Sequence, residues 1–451
     1  MSTGTCAVAE QDAYALLADG TTILIRPAGL QDYGAVRDMH AATSADDLYL
    51  RFFTVSKLAP DQEARRVCRE PGPDHAALLA VLDGEVIGCG SFECGDADCG
   101  SAEIALAVAD GMHGRGVGTL LLEHLVRVAR SRGIRAFTAQ TLPENTPMLR
   151  VFAGTGLPVH RVLAGGVYDV SIPLPAGQAG AAVETYRDAA AERERSADVA
   201  SLRHALAPAS VAVIGASPDP GSAGRTILRN IVTGGFAGPV HVVSPGLAGL
   251  HGIPCLPSVA ALPGHIDLAV IAAPAAAVPV IADDCGQRGV RALVVVTSGL
   301  DRPARAEVLD TCRRHGMRLI GPGSAGVASA AVSLNATAAA WHPGPGTAGV
   351  ALPYGAGEVA MLEQLSRSGI GISSFVSLGD QDDVSATDML LWWASDPATK
   401  LAVVHVDSSG HQVAGARQLL SRPGTSVTDL ADTWSRVQAA WPADIFLRRL
   451  T

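Results

Sequence analysis

The segment Gly111–Thr119 has the residue types and the spacing of a turn that can bind an anion. An aliphatic run, Ile104–Val108, precedes it and is typical of a strand. Apolar residues at helical spacing follow it, from Leu120 to Val128. Glycines between a strand and a helix expose backbone N–H groups, which can hold a phosphate together with the positive end of the helix dipole. Glycines also serve simply to make tight turns, so the motif by itself leaves both interpretations open.

Length, charge and cysteine usage limit what kind of protein this is. A chain of 451 residues is expected to hold two or three domains, since single cores stop growing at about 250 to 300 residues. Its apolar runs are interrupted and its first residues carry no basic segment, so we expect a cytoplasmic protein without a membrane partner. The net charge of −10 argues against broad nucleic-acid binding. The 8 cysteines lack paired spacing, which favours reduced thiols.

The order of predicted elements gives an α/β chain with several domains. A disordered leader is expected first, followed by alternating strands and helices with a hairpin across Asp83-Gly84. A charged, alanine-rich linker that becomes helical separates this part from a doubly wound parallel sheet. A shorter third segment follows, and its tail from Ser421 is poorly specified. The boundaries we infer are 1–20 for the leader, 21–175 for the first domain, 176–205 for the linker, 206–330 for the second domain and 331–451 for the third.

The surroundings of the glycine turn resemble the GNAT acetyltransferase superfamily, whose pattern Gln/Arg-x-x-Gly-x-Gly/Ala follows the fourth strand. Here the pattern reads His113-Gly114-Arg115-Gly116-Val117-Gly118, with histidine in the first position. The resemblance extends through Asn145–Met148 to Gly156-Leu157. Leu48–Phe53 is similar to a stretch in bacterial protein-lysine acetyltransferases of the Pat type. The resemblance implies a GNAT α+β fold for residues 21–175 and acetyl-CoA as the cosubstrate.

Strand 104–108 is expected to splay from the next strand, so that its backbone can pair with the pantetheine arm of acetyl-CoA. The N–H groups of the loop would hold the pyrophosphate, which places the thioester beside an incoming amine. The position of His113 inside the loop favours a structural or phosphate-facing role over a catalytic one. The residues assigned to acetyl-CoA are Leu106, Val108, His113, Gly114, Arg115, Gly116, Val117, Gly118, Thr119 and Asn145.

The incoming amine must lose a proton before it attacks, since an ammonium has no lone pair. Glu103, at the start of the strand, is the predicted general base, directly or through water, and the resemblance to Pat-type enzymes implies a catalytic glutamate there. The alternative is a surface glutamate at a strand edge. Many GNAT enzymes protonate the departing thiolate with a tyrosine, but the corresponding residue here is Phe152. The general acid is therefore unassigned.

Three cysteines in the first domain recur every five residues, at Cys89, Cys94 and Cys99. A zinc site would need tighter pairing and a fourth ligand, so strand packing is the favoured interpretation. We therefore expect no metal in this protein.

A second glycine-containing turn follows the apolar strand Val211–Ile214. Its spacing differs from the dinucleotide pattern G-x-G-x-x-G, which argues against NAD. The turn resembles the CoA-binding domain of NDP-forming acyl-CoA synthetases, of the succinyl-CoA ligase α-subunit type. The resemblance includes Gly252–Val259 and Leu319–Pro322 and continues into Phe375–Gly379, so it implies a Rossmann-like CoA-binding domain and a truncated flavodoxin-like ligase domain. A second CoA-like site would comprise Gly215, Ala216, Ser217, Gly221, Gly224 and Pro274.

The departures from that family argue against ligase activity. Its mechanism needs a phosphate-carrying histidine in a Ser-His-Thr-Gly-like segment, which the sequence after Gly410 does not contain. His405 and His411 are isolated and are interpreted as structural or exposed. No lysine occurs around Ser244–Leu247, where the family has one that meets CoA phosphate. Regulation by CoA binding and a scaffold that merely dimerises both stay open.

These observations predict an acetyl-CoA-dependent protein N-acetyltransferase that acts on lysine side chains. Acyl-CoA synthetases are the candidate acceptors, because the chain combines a Pat-like stretch with a ligase-derived region. The alternatives are a non-enzymatic acyl-CoA sensor or scaffold and an acetyltransferase for small amines. The sequence leaves the acyl chain preference and the oligomeric state open, a homo-oligomer included.

Overall fold

The computed structural model describes residues 12–44, 59–95, 100–174, 181–339, 344–353, 362, 365, 367, 369–405 and 445–449. The chain divides into two compact units, Met1–Ala197 and Asp198–Thr451. Within the described ranges, no helix is both long enough and apolar enough to cross a membrane.

A mixed sheet forms the first unit. Its strands are β1 (Ala13–Leu16), β2 (Thr22–Pro27), β3 (His75–Leu82), β4 (Glu85–Cys94), β5 (Ser101–Val108), β6 (Ala136–Thr141), β7 (His160–Ala164) and β8 (Val167–Pro173). Their order across the sheet is β1-β2-β3-β4-β5-β6-β8-β7, and only β5 and β6 pair in parallel. The predicted hairpin between β3 and β4 is confirmed, because Asp83 and Gly84 both have the positive φ of a two-residue turn.

Helices cover both faces of this sheet. They are α1 (Tyr33–Ala41), α2 (Ala59–Val67), α3 (Val117–Ser131) and α4 (Thr146–Gly154). Helix α5 (Ala181–Leu206) follows, in the segment interpreted as a linker that becomes helical, and it contains the division between the two units. One face of the central strands packs its apolar side chains against α3, where Leu121 and Leu125 are fully buried. The other face packs Leu79 and Cys89 against Val36 of α1 and Val67 of α2.

The predicted disordered leader is wrong for its last part. Ala13–Leu16 forms β1 and pairs with Thr22–Ile25 of β2. The next residue, Leu17, is fully buried, so the segment gains both ladder hydrogen bonds and apolar burial. Residues 1–11 lie outside the described ranges.

The second unit begins with a sheet of mainly parallel strands, as predicted. They are β9 (Val211–Ile214), β10 (Val240–Val243), β11 (Gly249–Leu250), β12 (Ile253–Leu256), β13 (Leu268–Ile271), β14 (Ala292–Val295) and β15 (Arg318–Ile320), in the order β11-β12-β10-β9-β13-β14-β15. Helices α6 (Ala223–Gly234), α7 (Val278–Gln287) and α8 (Arg302–Arg314) connect them. Every residue of β9, β13 and β14 is buried, which is typical of a parallel sheet covered on both faces.

A further sheet of the second unit contains β16 (Gly326–Ser329), β17 (Leu334–Thr337), β18 (Pro345–Pro353), β19 (Ile372–Gly379), β20 (Leu401–His405) and β21 (Ile445–Arg449), and α9 (Ala386–Ser395) precedes β20. The strand order is β17-β16-β19-β18-β20-β21. The expectation of a poorly specified tail is wrong for Ile445–Arg449, because this segment pairs with β20 along its whole length.

Candidate active site

An opening between two parallel strands marks the centre of the first unit. β5 pairs with β4 from Ala102 to Val108 but with β6 only from Ser101 to Glu103. β6 stays paired with β8 as far as Thr141. β5 and β6 therefore separate beyond Glu103, in the segment where we expect a splay. An extended chain that carries amide groups can enter such an opening and pair with a strand edge.

The glycine loop leads from β5 into α3. Gly114 and Gly116 have φ values of 75° and 96°, a left-handed conformation that favours glycine, and Gly116 is the N-cap residue of α3. The first turn of a helix leaves backbone N–H groups without intrahelical partners, and here that turn contains Val117, Gly118 and Thr119. The loop thus places N–H donors and the positive helix end beside the opening.

Gly118 also has a packing role that the spacing does not reveal. A Cβ atom at this position would lie 3.2 Å from Cγ2 of Val151 on α4. The absence of a side chain therefore allows α3 and α4 to approach closely.

The side chain of Arg115 anchors the loop to the β1–β2 turn. Its Nε donates to Asp19 Oδ2 over 2.8 Å, and its Nη2 donates to Thr21 Oγ1 over 3.0 Å. The carbonyl oxygen of Arg115 accepts from the N–H of Ala18 over 3.1 Å. Burial alone would raise the pKa of Asp19, but the hydrogen bonds from Thr21 and Arg115 hold it below its ordinary value. The predicted contact between Arg115 and acetyl-CoA is thus left to its backbone N–H.

His113 fixes the other end of the loop. Its Nε2 lies 2.9 Å from the carbonyl oxygen of Val108, and since a carbonyl can only accept, the imidazole donates. This contact agrees with the structural role that we favour for His113. The same contact occupies the carbonyl of Val108, one of the backbone groups predicted to meet acetyl-CoA.

Asn145 and Phe152, which follow β6 in the chain, make mainly structural contacts. Asn145 is the N-cap residue of α4, and its Oδ1 accepts from the N–H of Met148 over 3.1 Å. Phe152 is 2 % exposed and belongs to the core around α3. It has no group that could protonate a thiolate, so the general acid stays unassigned.

Glu103 is exposed at the point where β5 and β6 separate. Its direct partners in the two ladders are Glu93 on β4 and Thr138 on β6. Directly paired residues point to the same face of a sheet. Cys89 lies on the same face of β4 as Glu93, and Ala107 lies on the same face of β5 as Glu103. Because Cys89 and Ala107 pack with α1 and α2, the two glutamates lie on the face of the sheet that carries these helices.

A buried histidine lies on the other side of Glu93, and sequence reasoning missed it. His75 on β3 is 1 % exposed and pairs directly with Glu93. Its Nδ1 lies 3.7 Å from Glu93 Oε1. Burial lowers the pKa of His75, and the charges of Arg69 and Arg66 lower it further, against smaller opposite effects of Glu93 and of a hydrogen bond with the backbone of Val67. The imidazole is therefore uncharged at neutral pH.

In the second glycine turn, some backbone N–H groups already donate hydrogen bonds to side chains of the turn itself. A Cβ at Gly215 would lie 2.7 Å from the backbone nitrogen of Ala273, so the turn packs tightly against the segment before Pro274. The N–H of Gly221 donates to Asp219 Oδ1 over 3.0 Å, and the N–H of Asp219 donates to Ser217 Oγ over 3.2 Å. A carboxylate thus sits where a phosphate oxygen would be expected.

Two further predicted residues of the second site, Ala216 and Gly224, make packing contacts in the turn. The carbonyl oxygen of Ala216 accepts from Ser244 Oγ over 2.7 Å. A Cβ at Gly224 would lie 3.0 Å from the Cα of Ala216, so this glycine lets α6 pack against the turn. The structure brings Gly215, Ala216 and Gly224 together at the end of β9.

Two of the three cysteines at five-residue spacing, Cys89 and Cys94, lie in the described part of the chain. Cys89 is buried, with its Sγ 3.6 Å from His40 Nε2. Cys94 is disulfide-bonded, so the expectation of reduced thiols is wrong for it, since the distance between thiols in the fold, rather than their spacing in sequence, decides pairing. In the described part of the chain, no group of three or more His, Cys, Asp or Glu could hold a metal ion. Cys99, Leu48–Phe53 and His411 lie outside it.

Three known protein families match the chain, in the order that the sequence predicts. The acetyltransferase (GNAT) family matches residues 42–156, the CoA binding domain matches residues 209–330, and the succinyl-CoA ligase like flavodoxin domain matches residues 345–421. The predicted succession of a GNAT fold, a Rossmann-like CoA-binding domain and a flavodoxin-like ligase domain is thereby confirmed.

Individual relatives match parts of the chain. The ADP-forming acetate–CoA ligase I of Archaeoglobus fulgidus is 34 % identical over 206 residues, which are 44 % of this chain and 30 % of the ligase. The α subunit of the corresponding ligase of Pyrococcus furiosus is 31 % identical over 217 residues, which are 46 % of this chain and 47 % of the subunit. The chain thus spans less than half the length of these relatives. The crystal structure of the GNAT domain of S. lividans PAT is 32 % identical and covers 36 % of this chain and 97 % of its own, with a TM-score of 0.34.

Proposed function

We propose that this chain, which carries a GNAT acetyltransferase domain followed by a CoA-binding domain and a succinyl-CoA ligase-like domain, transfers the acetyl group of acetyl-CoA to lysine side chains of proteins. The observation that carries the proposal is the separation of β5 from β6 at Glu103, directly before the loop that caps α3. The thioester and the pyrophosphate of acetyl-CoA can then lie along β5 and its glycine loop, with the carboxylate of Glu103 as the base. This arrangement supports acyl transfer to an amine.

The reaction follows from these positions. Glu103 takes a proton from the acceptor ammonium, and the amine nitrogen then attacks the carbonyl carbon of the thioester. The new C–N bond forms as the C–S bond breaks, and the nitrogen, which is positive again after the attack, releases its second proton to water. CoA leaves as a thiolate that keeps the bonding electron pair. Water can protonate this thiolate, because a thiol is a modest acid with a pKa near 8.5 in free cysteine, as an order-of-magnitude guide. Phe152 therefore does not prevent turnover.

The ligase-derived unit is proposed to regulate the transferase through CoA binding, without ligase activity of its own. The match to a CoA binding domain supports a nucleotide-like ligand in this unit. Its turn lacks a nearby lysine, and Asp219 holds one of the donors, so we expect weak binding. Acyl-CoA synthetases are the proposed acceptors, because a ligase-derived surface in the same chain suits recognition of related enzymes.

The test is release of CoA thiol from acetyl-CoA with a purified acyl-CoA synthetase as acceptor, followed by mass spectrometry of the acceptor. Thiol release together with an acetylated lysine supports the proposal. Thiol release that needs only a small amine, with no acetylated lysine on any protein, would instead identify a small-amine acetyltransferase. Binding of acetyl-CoA without thiol release for either kind of acceptor would favour the non-enzymatic sensor.

A further inference from the structure

A row of three titratable side chains crosses the strands beside the opening. His75, Glu93 and Glu103 are direct partners on β3, β4 and β5. Direct partners on neighbouring strands have Cβ atoms about 4.5 to 5.5 Å apart. The row starts at the fully buried imidazole of His75 and ends at the exposed carboxylate of Glu103. Glu93 lies between the two, next to the proposed position of the acceptor amine.

The inner part of this row lacks normal hydrogen bonds. Within the described residues, the Oε1 atom of Glu93 is buried without a hydrogen-bond partner. The ring nitrogens of His75 lack a partner at full hydrogen-bond geometry, with the backbone of Val67 as a weak one. A buried polar atom that stays unpaired costs about 1 to 3 kcal/mol. Groups of this kind are retained where a ligand or a water molecule completes them. The chemistry of two neighbouring carboxylates selects a cation as that ligand.

We propose that Glu93 is the second carboxylate of the acceptor site, which binds the ammonium group of a cationic amine together with Glu103, and that His75 positions Glu93. This role rests on the proposed acetyl transfer to an amine. The lysine amine arrives almost entirely protonated, since its ordinary pKa is about 10.4. Its nitrogen also becomes positive again as it attacks the thioester, so a carboxylate that stays charged stabilises both states.

His75 can hold the Glu93 carboxylate because an uncharged imidazole offers one N–H donor. The distance of 3.7 Å from Nδ1 to Oε1 exceeds that of a hydrogen bond. Side-chain contacts in active sites commonly shorten when the substrate binds. In this arrangement His75 acts through Glu93 and does not touch the acceptor.

The other charged groups around Glu93 are compatible with this role. Arg66 on α2 pairs with Glu63, with 2.7 Å between Nη2 and Oε1, and it also interacts electrostatically with Glu93. Arg69, two residues beyond the end of that helix, lowers the pKa of His75 through its charge. Since the hydrogen bonds of Arg66 go to Glu63, they do not occupy the Glu93 carboxylate.

The experiment compares Glu93→Gln with Glu85→Gln, a matched control at the exposed start of the same strand. Thiol release from acetyl-CoA is measured with two acceptors, a short lysine-containing peptide and an arylamine, whose amino group is uncharged at neutral pH. We expect Glu93→Gln to lower kcat/KM for the peptide about tenfold, mainly through KM, the effect of losing one charge-assisted hydrogen bond. The arylamine and the KM for acetyl-CoA should change less than about twofold, and Glu85→Gln should match the parent protein.

Two substitutions of His75 test the positioning role. Asparagine can present a donor near the place of Nδ1, whereas phenylalanine fills the same space without one. His75→Asn should keep most of the peptide activity, and His75→Phe should reproduce the rise in KM for the peptide. Equal losses for both acceptors, or equal losses in both His75 variants, would show a merely structural role and overturn the inference.

The proposed function and this inference fail in different ways. If the parent protein turns over neither acceptor, acetyl transfer to amines is wrong, and the role of Glu93 falls with it. If the parent protein acetylates the peptide and Glu93→Gln does so with unchanged KM, only the role of Glu93 is wrong. Titration of acetyl-CoA into each variant confirms that the fold of the site is intact.

Discussion

The imidazole of His113 donates a hydrogen bond to the carbonyl oxygen of Val108 across 2.9 Å, and this contact closes the glycine loop onto the end of β5. At the other side of the loop, the guanidinium of Arg115 binds Asp19. The two polar side chains of the motif therefore shape the loop from outside. The backbone of the loop is left to meet a phosphate group.

His113 should be replaceable by a residue that donates from a similar position. His113→Gln keeps such a donor, whereas His113→Ala removes it. We expect the KM for acetyl-CoA to rise about two- to tenfold in the alanine variant, as for the loss of one hydrogen bond, and to change little in the glutamine variant. Steady-state kinetics with varied acetyl-CoA measures this. Equal impairment of both variants would show that the imidazole itself meets the ligand.

The ion pair of Asp19 with Arg115 should stabilise the first unit at neutral pH. Because the pKa of Asp19 is lowered in the folded protein, the stabilisation is present above the ordinary carboxyl value of about 3.9 and is lost as the pH falls through the lower folded value. For a half-exposed pair we expect about 0.2 to 1 kcal/mol. Thermal melts of Asp19→Asn and of the exposed control Asp83→Asn, from neutral to acid pH, check this.

The melting temperature of Asp19→Asn should lie below that of the parent protein at neutral pH, and the difference should vanish in acid. Asp83→Asn should match the parent protein throughout, since Asp83 lies in the exposed hairpin turn. A difference for Asp19→Asn that persists in strong acid would mean that the carboxylate charge is not what stabilises the loop.

Substitutions at Gly118 can distinguish a packing role of this glycine from contact with the ligand. Gly118→Ala places a methyl group 3.2 Å from Val151 Cγ2, which should cost about 1 to 3 kcal/mol of unfolding free energy through overpacking. Adding Val151→Ala should recover most of this loss, because it removes the crowded methyl groups. Chemical denaturation of the single and double variants measures the coupling.

Kinetics with the same variants identify the second role of this glycine. If the KM for acetyl-CoA rises in Gly118→Ala and returns to normal in the double variant, packing alone explains the glycine. A KM that stays high after the stability has been recovered would place the ligand against this position.

The second cleft should bind CoA more tightly once its own carboxylate is removed. Asp219→Ala frees the N–H of Gly221 and takes a negative charge away from the turn, whereas Gly215→Glu should fill the space beside Ala273. Isothermal titration of CoA should therefore give an additional or tighter site in Asp219→Ala. If neither substitution alters the acetyl-CoA saturation curve or the number of sites, regulation through this cleft is wrong.

The sequence predicts the strand–loop–helix unit and the hairpin well, because local turn chemistry and apolar periodicity determine them. It could not predict the partner of His75. A regular two-residue hairpin would place His75 opposite Phe92, but the register shifts between Ala80 and Val81, so that His75 meets Glu93 instead. One extra residue in a strand reverses which face each later side chain occupies.

The sequence also could not predict the contact of the Arg115 side chain. Its partner Asp19 lies in the part of the sequence that we expected to be a disordered leader, so the contact joins residues far apart in the chain. Motif spacing describes neighbours along the chain, whereas this pair depends on β1 reaching the sheet. The buried position of Phe152, in contrast, agrees with its apolar side chain.

The most direct test of acetyl transfer at this site is kcat for Glu103→Gln with acetyl-CoA and a lysine acceptor, with acetyl-CoA affinity measured by titration on the same preparation. Glutamine keeps the shape of the side chain but cannot accept the proton of the ammonium group. If Glu103 is the general base, acetyl-CoA affinity should be unchanged and kcat should fall about a hundredfold or more, the usual contribution of a general base. An unchanged kcat would contradict this role, and Glu103 would then be a surface residue at the edge of the opening.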